Sequence, residues 1–396
     1  MTAPAIPSKF RIESIDILRG LIMLIMALDH TRDFFIHSSA GNPTNLATTT
    51  PIYFFTRWVT HFCAPNFVFL SGISAYLVGK RRTPGEFRMF LIKRGLWLMA
   101  AEIVFMSFAL TLNPGFNMIV LLIVWAIGIS MILLACLSRA SLTVIGIIGA
   151  VIFFGHDILN YIPLPKTGVG NFLLTIFFTA FGSAFPLGKT RVLLDVYAVI
   201  PWTGVMLLGY VFGSLYQSSF DQQKRKRILM RTGVSLIVLF LVLRYFNIYG
   251  DPSPWSIQKT GILSVLSLLN TSKYPPSLLY LCMTIGPALV ALSRIENVKN
   301  KFTSVLMVYG NVPFFYYFLH IYLIRALDIV VFFAMGYNTS QIATPGQPFL
   351  FQPPAFGFGL GGVYIMWLLI ITILYLPCRW YSKYKKTHHQ WWLSYL

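Results

Sequence analysis

Ionisable side chains interrupt an otherwise apolar stretch, SIDILRGLIMLIMALDHTRDFFIHSSAGNPTN, from Ser14 to Asn45. On a helix turning about 100° per residue, Asp16, Arg19, His30, Asp33 and His37 fall within about 60° of Arg19, spread over roughly 30 Å. Asp29 and Arg32 complete the set of charges. A charge in hydrocarbon costs at least ~2.5–3.5 kcal/mol on insertion scales, so this stripe must face other protein or water. The chemistry open to it is proton transfer. His37 lies at the outer end, in a Ser/Gly/Asn-rich loop, and an ordinary imidazole pKa near ~6.5 suits a general base. The alternative is a solvated loop histidine with no role.

Five further sets of polar residues lie elsewhere in the chain. In PIYFFTRWVTHFCAPNFVFLSGISAYL, Arg57 and His61 are i,i+4 neighbours, placed to pair with Asp29 or Asp33 or simply to fix helix register. Pro65 is expected to kink this span. GHDILNY holds His156, Asp157 and Asn160, which reads as a polar helix end. VYGNVPFFYYFLHIYLIRALDIVVFFAMG holds His320, Arg325 and Asp328, the last two at i,i+3. Glu102 and Arg244 are buried charges that need partners. KYPPS, Lys273 to Ser277, reads as a Pro-stiffened start to a helix.

The elements that must position these residues are membrane helices. The 396 residues are 56% hydrophobic and 11% charged, with mean hydropathy +0.69, where soluble domains carry about 25% charge. Repeated long apolar runs indicate an all-α polytopic membrane protein in one integral domain, residues 1–396. Ten spans are predicted: about 15–36, 52–78, 95–112, 118–137, 141–160, 193–216, 231–249, 276–293, 303–335 and 358–378. Ten spans put Lys9 and Arg11, Lys80 to Arg94, Lys224 to Arg231, Arg294 to Lys301 and Arg379 to Lys386 all on the cytoplasmic side, as the positive-inside rule asks. Both termini are then inside and His37 outside. Lys166 is among the few cations left for the opposite side. Residues 171–187 read as a re-entrant or interfacial segment, with an eleventh span as the alternative. Loop 336–357 is a lid or an irregular connector. The tail YSKYKKTHHQWWLSYL suits a headgroup region, with His388 and His389 solvated or lipid-facing. No cleavable signal peptide is expected, so the first span serves as the targeting signal.

Composition excludes other classes. The net charge of +19 follows from basic cytoplasmic loops rather than nucleic-acid binding, since no basic, aromatic-interleaved module accompanies it. Cys63, Cys136, Cys282 and Cys378 show neither metal spacing nor a disulfide framework. Walker, Rossmann and zincin motifs are absent, and no metal site is expected.

RIESIDILRG, ALDHTRDFF and THFCAPNFVFLSGISAYL resemble the transmembrane acyltransferases related to lysosomal heparan-α-glucosaminide N-acetyltransferase. YAVIPWTGVMLLGYVFG, KYPPSLLYLCMTIGPAL, VPFFYYFLH and the terminal WWLSYL resemble a bacterial subgroup of that family. The resemblance implies transfer of an acetyl group from cytoplasmic acetyl-CoA, the co-substrate, to an amino-sugar or glycan acceptor across the membrane. It implies a multi-pass protein of the inner (cytoplasmic) membrane and leaves a homodimer open. The family's catalytic histidine follows the first helix, and His37 matches that place, as general base or as acetyl carrier. His30 stands at or beside the family's asparagine, and His61 where the lysosomal enzyme has an aspartate. Asp33 is placed to orient an imidazole. Arg19 and Arg57 are the candidates for the CoA phosphates or a developing oxyanion. The competing function is an ion-coupled transporter that uses the buried His/Asp/Arg stripe as a proton relay. The topology is tested by cysteine labelling: Ser38→Cys should react with an impermeant maleimide from outside and Thr83→Cys only after permeabilisation. The opposite pattern would reject the ten-span arrangement.

Overall fold

The computed structural model describes residues 12–162, 168–179, 183–345, 349–388, 390 and 393. Lys9, Arg11, Lys166, His389 and most of the terminal WWLSYL lie outside the described residues. The chain is mostly helical. Helix α1 (Glu13–Phe35) is built from Leu, Ile and Met, with no proline to stop it. It ends where Ile36 turns extended and bridges Phe358. Helices α2 (Pro51–Thr60) and α3 (Cys63–Gly79) form one long apolar rod with a turn between them. The break lies at His61 and Phe62, four residues ahead of the expected kink at Pro65. Its cause is still Pro65. A proline has no N–H for the carbonyl four residues back, and the Tyr280 hydroxyl donates to that orphaned His61 carbonyl at 2.8 Å.

Helix α4 (Pro84–Ala101) starts on a Thr83/Glu86 capping box. It continues through a π-helical turn, Glu102–Met106, into α5 (Ser107–Thr111). Strand β1 (Met118–Leu121) precedes α6 (Ile123–Leu137) and α7 (Leu142–Gly155). Then come α8 (Gly168–Leu174), β2 (Ser183–Leu187), β3 (Arg191–Asp195) and α9 (Val199–Phe212). The expected helical spans 118–137 and 193–216 therefore each begin as a strand. Residues 171–187 form a short helix, a π-helical turn and a strand among the described residues, not one membrane-length helix. The Val/Leu/Ile runs of β1 and β3 pair in parallel, and β2 joins β3 antiparallel, giving the order β1-β3-β2.

The remaining helices are α10 (Gln222–Phe246), α11 (Gly261–Leu269), α12 (Leu278–Ile295), α13 (Lys301–Gly310), α14 (Pro313–Ala334) and α15 (Leu360–Thr387). The expected span 303–335 is split into α13 and α14 at Asn311 and Val312, because Pro313 occupies the first turn of a new helix. Among the described residues, seven helices have the length and apolarity to cross a membrane. The other expected spans fall on the charged α1, on α4 through α5, and on the 15-residue α6.

Helix α1 is the hub, packing on α2, α3, α12, α13, α14 and α15. Small residues permit this closeness. A Cβ on Gly20 would collide with the Leu306 carbonyl, and one on Gly310 with the Asp16 carbonyl, so α1 and α13 touch backbone to backbone. Gly72 and Gly209 do the same for α3 and α9, against the Met206 and Phe69 carbonyls. Gly72→Ala should therefore destabilise the protein by about 1–3 kcal/mol, the usual cost of overpacking. The check is a lowered melting temperature in detergent; an unchanged value would refute this packing.

Candidate active site

The Asp29 carboxylate, on the C-terminal half of α1, gathers the site. It accepts from Arg57 Nη1 at 2.7 and 2.8 Å and from Thr60 Oγ1 at 2.8 Å, both on α2. Arg32 Nη2, one turn along α1, lies 2.8 Å away. Lys273 Nζ approaches to 3.8 Å from the loop before α12. Asp33 is half-exposed and bonds Arg32 at 2.5 Å. Counting these groups, three cations face two carboxylates, so the cluster has one positive charge in excess. Arg32 and Arg57 are bound to carboxylate oxygens at hydrogen-bond distance. Lys273 makes no hydrogen bond among the described residues and leans over the Tyr274 ring at 5.1 Å.

This cluster borders a cavity of about 300 Å³. Asp29, His30, Asp33 and Arg57 line it, with Cys63, Lys273, Tyr274, Tyr197 and Tyr317. The small sheet closes one side through Val120, Leu194 and Val196. Tyr274 and Tyr197 hydroxyls lie 3.4 Å apart. Burial raises a phenol's pKa, but Lys273, Arg57 and the Tyr197 hydrogen bond together hold Tyr274 below its ordinary value. Asp195, buried at the end of β3 beside this wall, has its carboxyl pushed up to about 7 by desolvation. A second, smaller cavity of about 100 Å³ continues along α1 and is lined by Arg19, Ser71, Arg94 and Pro313. The two share Phe67, Ile123 and Tyr317, so these three side chains form the waist between them. Arg19 and His30 are eleven residues apart on α1, or roughly 16 Å.

Hydrogen bonds fix the histidine tautomers. His320 Nδ1 lies 3.1 Å from the Tyr316 carbonyl, which can only accept, so it donates there. In the neutral ring His320 Nε2 is then an acceptor, and His30 Nδ1, 2.7 Å away, donates to it. The rings stack at 5.0 Å. His30 Nε2 is left with its lone pair, on a residue that borders the cavity. His37 has the opposite arrangement. Its Nδ1 accepts from the Ser39 N–H at 3.1 Å, so the neutral ring carries its proton on Nε2.

The structure brings together four of the residues singled out from sequence, Asp29, His30, Asp33 and Arg57, and leaves others apart. His37 is off the helical face on which it was expected. It caps a 3₁₀ turn, Ser38–Ala40, and its backbone N–H donates to Phe358. His61 is buried at the C-terminus of α2, edge-on to Tyr280, and does not border the cavity. Arg19 lies in the smaller cavity, donating to Asp16, the Gly310 carbonyl and Ser74. His156 and Asp157 are structural: Asp157 accepts from the Leu278 N–H at 2.6 Å and caps α12. Arg244 binds four carbonyls, those of Ser253, Ser267, Leu268 and Asn270. Lys273, Tyr274, Tyr197 and Tyr317 escaped the sequence reading. The KYPPS run is a signal, but its prolines point to a helix start and carry no sign that Lys273 and Tyr274 wall the site.

The sequence model for the catalytic region of heparan-α-glucosaminide N-acetyltransferase matches residues 11–249, more than half of the 396. The chain belongs to that family. No curated protein matches it. Membership indicates a membrane-embedded acetyltransferase, and the matched region holds Asp29, His30, Arg57 and the waist residues Phe67 and Ile123. Lys273, Tyr317 and His320 come from beyond it. Among the described residues no His/Cys/Asp/Glu group could hold a metal ion.

Replacing Asp29 isolates the clustered cations. Asp29→Ala should cost about 3–5 kcal/mol, as expected for breaking a buried pair from one side. Asp33→Ala, whose carboxylate is half in water, should cost less than about 1 kcal/mol. Thermal unfolding of both variants checks this, and equal losses would contradict the central position of Asp29.

Proposed function

We propose that this protein moves an acetyl group from the thioester of coenzyme A, entering at the Arg19 and Arg94 end, to an amine or hydroxyl of an amino-sugar or glycan acceptor at the opposite end of α1. The observation that carries this reading is the pair of cavities meeting at Phe67, Ile123 and Tyr317. Together they run along one helix from a cationic end to a site with a base. A thin thioester arm can reach through such a waist while the charged nucleotide stays with the cations.

The chemistry follows from the tautomers. His30 Nε2 takes the proton of the acceptor N–H or O–H as that atom attacks the thioester carbonyl. His320 and the Tyr316 carbonyl hold the ring in this tautomer and share the imidazolium charge, the part an orienting group plays behind a catalytic histidine. The carbonyl oxygen becomes an oxyanion, and the Lys273 ammonium is the cation near it not bound to a carboxylate at hydrogen-bond distance. Collapse breaks the C–S bond, and the thiolate takes the proton from His30. Asp29, Arg57 and Arg32 hold the framework. His37, pinned between Ser39 and the 354–358 segment, then stands at the acceptor mouth, and His61 supports the α2–α3 turn.

Two measurements test this. His30→Ala should lower turnover by about 10²–10⁴, the usual share of a general base, with coenzyme A binding retained. His37→Ala should lose less than about tenfold. An inactive His37→Ala beside an active His30→Ala would return the base to His37. Ser71→Phe, which fills the smaller cavity, should abolish thermal stabilisation by coenzyme A. If coenzyme A at saturation does not stabilise the unsubstituted protein, the transferase reading fails and the His30–His320 pair is better taken as a transporter's proton relay.

A further inference from the structure

A separate hollow of about 400 Å³ lies where the start of α10 meets the end of α12. Its lining is Gln223, Lys226, Arg227, Met230, Ser293 and Arg294. Three cations and no carboxylate face it. Acids nearby are already engaged: Asp221 caps α10 by accepting from the Lys224 N–H at 2.7 Å, and Glu296 is paired with Arg225. Among the described residues, the side chains of Lys226, Arg227 and Arg294 make no ion pair or hydrogen bond. The hollow is built by close packing, since α10 and α12 approach through Gly233 and Gly286, where a Cβ on Gly233 would lie 2.7 Å from the Gly286 carbonyl.

The same face of α10 runs on as an apolar stripe. Gln223, Lys226, Arg227 and Met230 follow helical spacing, and Val234, Val238, Leu241 and Val242 continue it. These four side chains are 45%, 51%, 46% and 46% exposed. A cationic hollow feeding directly into an open aliphatic track has the shape and polarity of one ligand, a phosphate head with an acyl chain. We infer that this face binds an anionic phospholipid, its phosphate between Lys226, Arg227 and Arg294 and its chain along Val234 to Val242. The site is independent of the transfer reaction and sits on the helices that hold Gly233 and Gly286 together.

The test uses the full chain in detergent, with native mass spectrometry and melting temperature as readouts and phosphatidylglycerol and phosphatidylcholine as probes. Phosphatidylglycerol should be retained, and should stabilise, at concentrations lower by on the order of tenfold or more. In K226Q/R227Q/R294Q the two lipids should become equal. K80Q/R81Q/R82Q, which removes the same charge elsewhere, should keep the preference. The inference is overturned if the first variant keeps it, or if the second loses it equally. Displacement of the lipid by millimolar inorganic phosphate alone would show a simple anion site, and a second copy of the chain covering α10 would replace lipid as the occupant; either result rejects the proposal.

Discussion

One buried carboxylate sets the arrangement of this protein. Asp29 is the point at which α1, α2 and the loop before α12 converge, because Arg57, Thr60, Arg32 and Lys273 all approach it. An unpaired charge in a membrane helix costs several kcal/mol, and so does each of its cationic partners. None of the three segments can be displaced without leaving a buried charge unpaired. The cluster is thus worth little as net stabilisation and much as a registration device, fixing which residues of α1 face the cavity.

A second set of contacts registers α14 against the same helix. Arg325 pairs with Asp328 and donates to the Leu350 carbonyl at 2.7 Å. Gln352 donates to Asp328 and to the Phe34 carbonyl, at 2.7 and 3.1 Å. Loop 349–358 is in this way tied to the ends of both α1 and α14, and Phe358 completes the tie by donating to the Phe35 carbonyl at 2.7 Å. The consequence lies about one turn deeper on α1. With α1 and α14 held in register, His30 and His320 meet at 2.7 Å, and the tautomer of His30 is decided by a carbonyl on α14 that it never touches.

The sequence made some of this legible and hid the rest for physical reasons. Charges inside an apolar run are costly wherever they fall, so the stripe on α1 and an Arg57 pairing with Asp29 or Asp33 are legible from the residues alone; that the partner is Asp29 is not. The strands could not, because MIVL and RVLLD are apolar runs too short to separate a buried strand from a helix end by periodicity. Lys273 escaped because a lysine after a short polar run looks like an interfacial residue; only its approach to Asp29 of α1 shows it to be buried. The partnership of His30 and His320 spans 290 residues, and no spacing rule reaches that far. His37 shows the converse: at about 100° per residue it aligns with the stripe, but the helix stops at Phe35, so its place on that face does not carry over to the structure.

The waist between the two cavities adds a further constraint. Tyr317 borders both, and behind it lies Glu102, fully buried in the π-helical turn after α4 and faced by the Tyr317 hydroxyl and the Leu122 and Val124 N–H groups. A π turn inserts one residue into a helix and swings the following side chains around, which here sets the carboxyl beside the Tyr317 ring. The Tyr317 hydroxyl faces that carboxyl, so the ring that both cavities share is backed by a group the π turn puts in place. Without the extra residue the carboxyl would point elsewhere on the helix. The irregular turn after α4 and the wall common to the two cavities are therefore one construction.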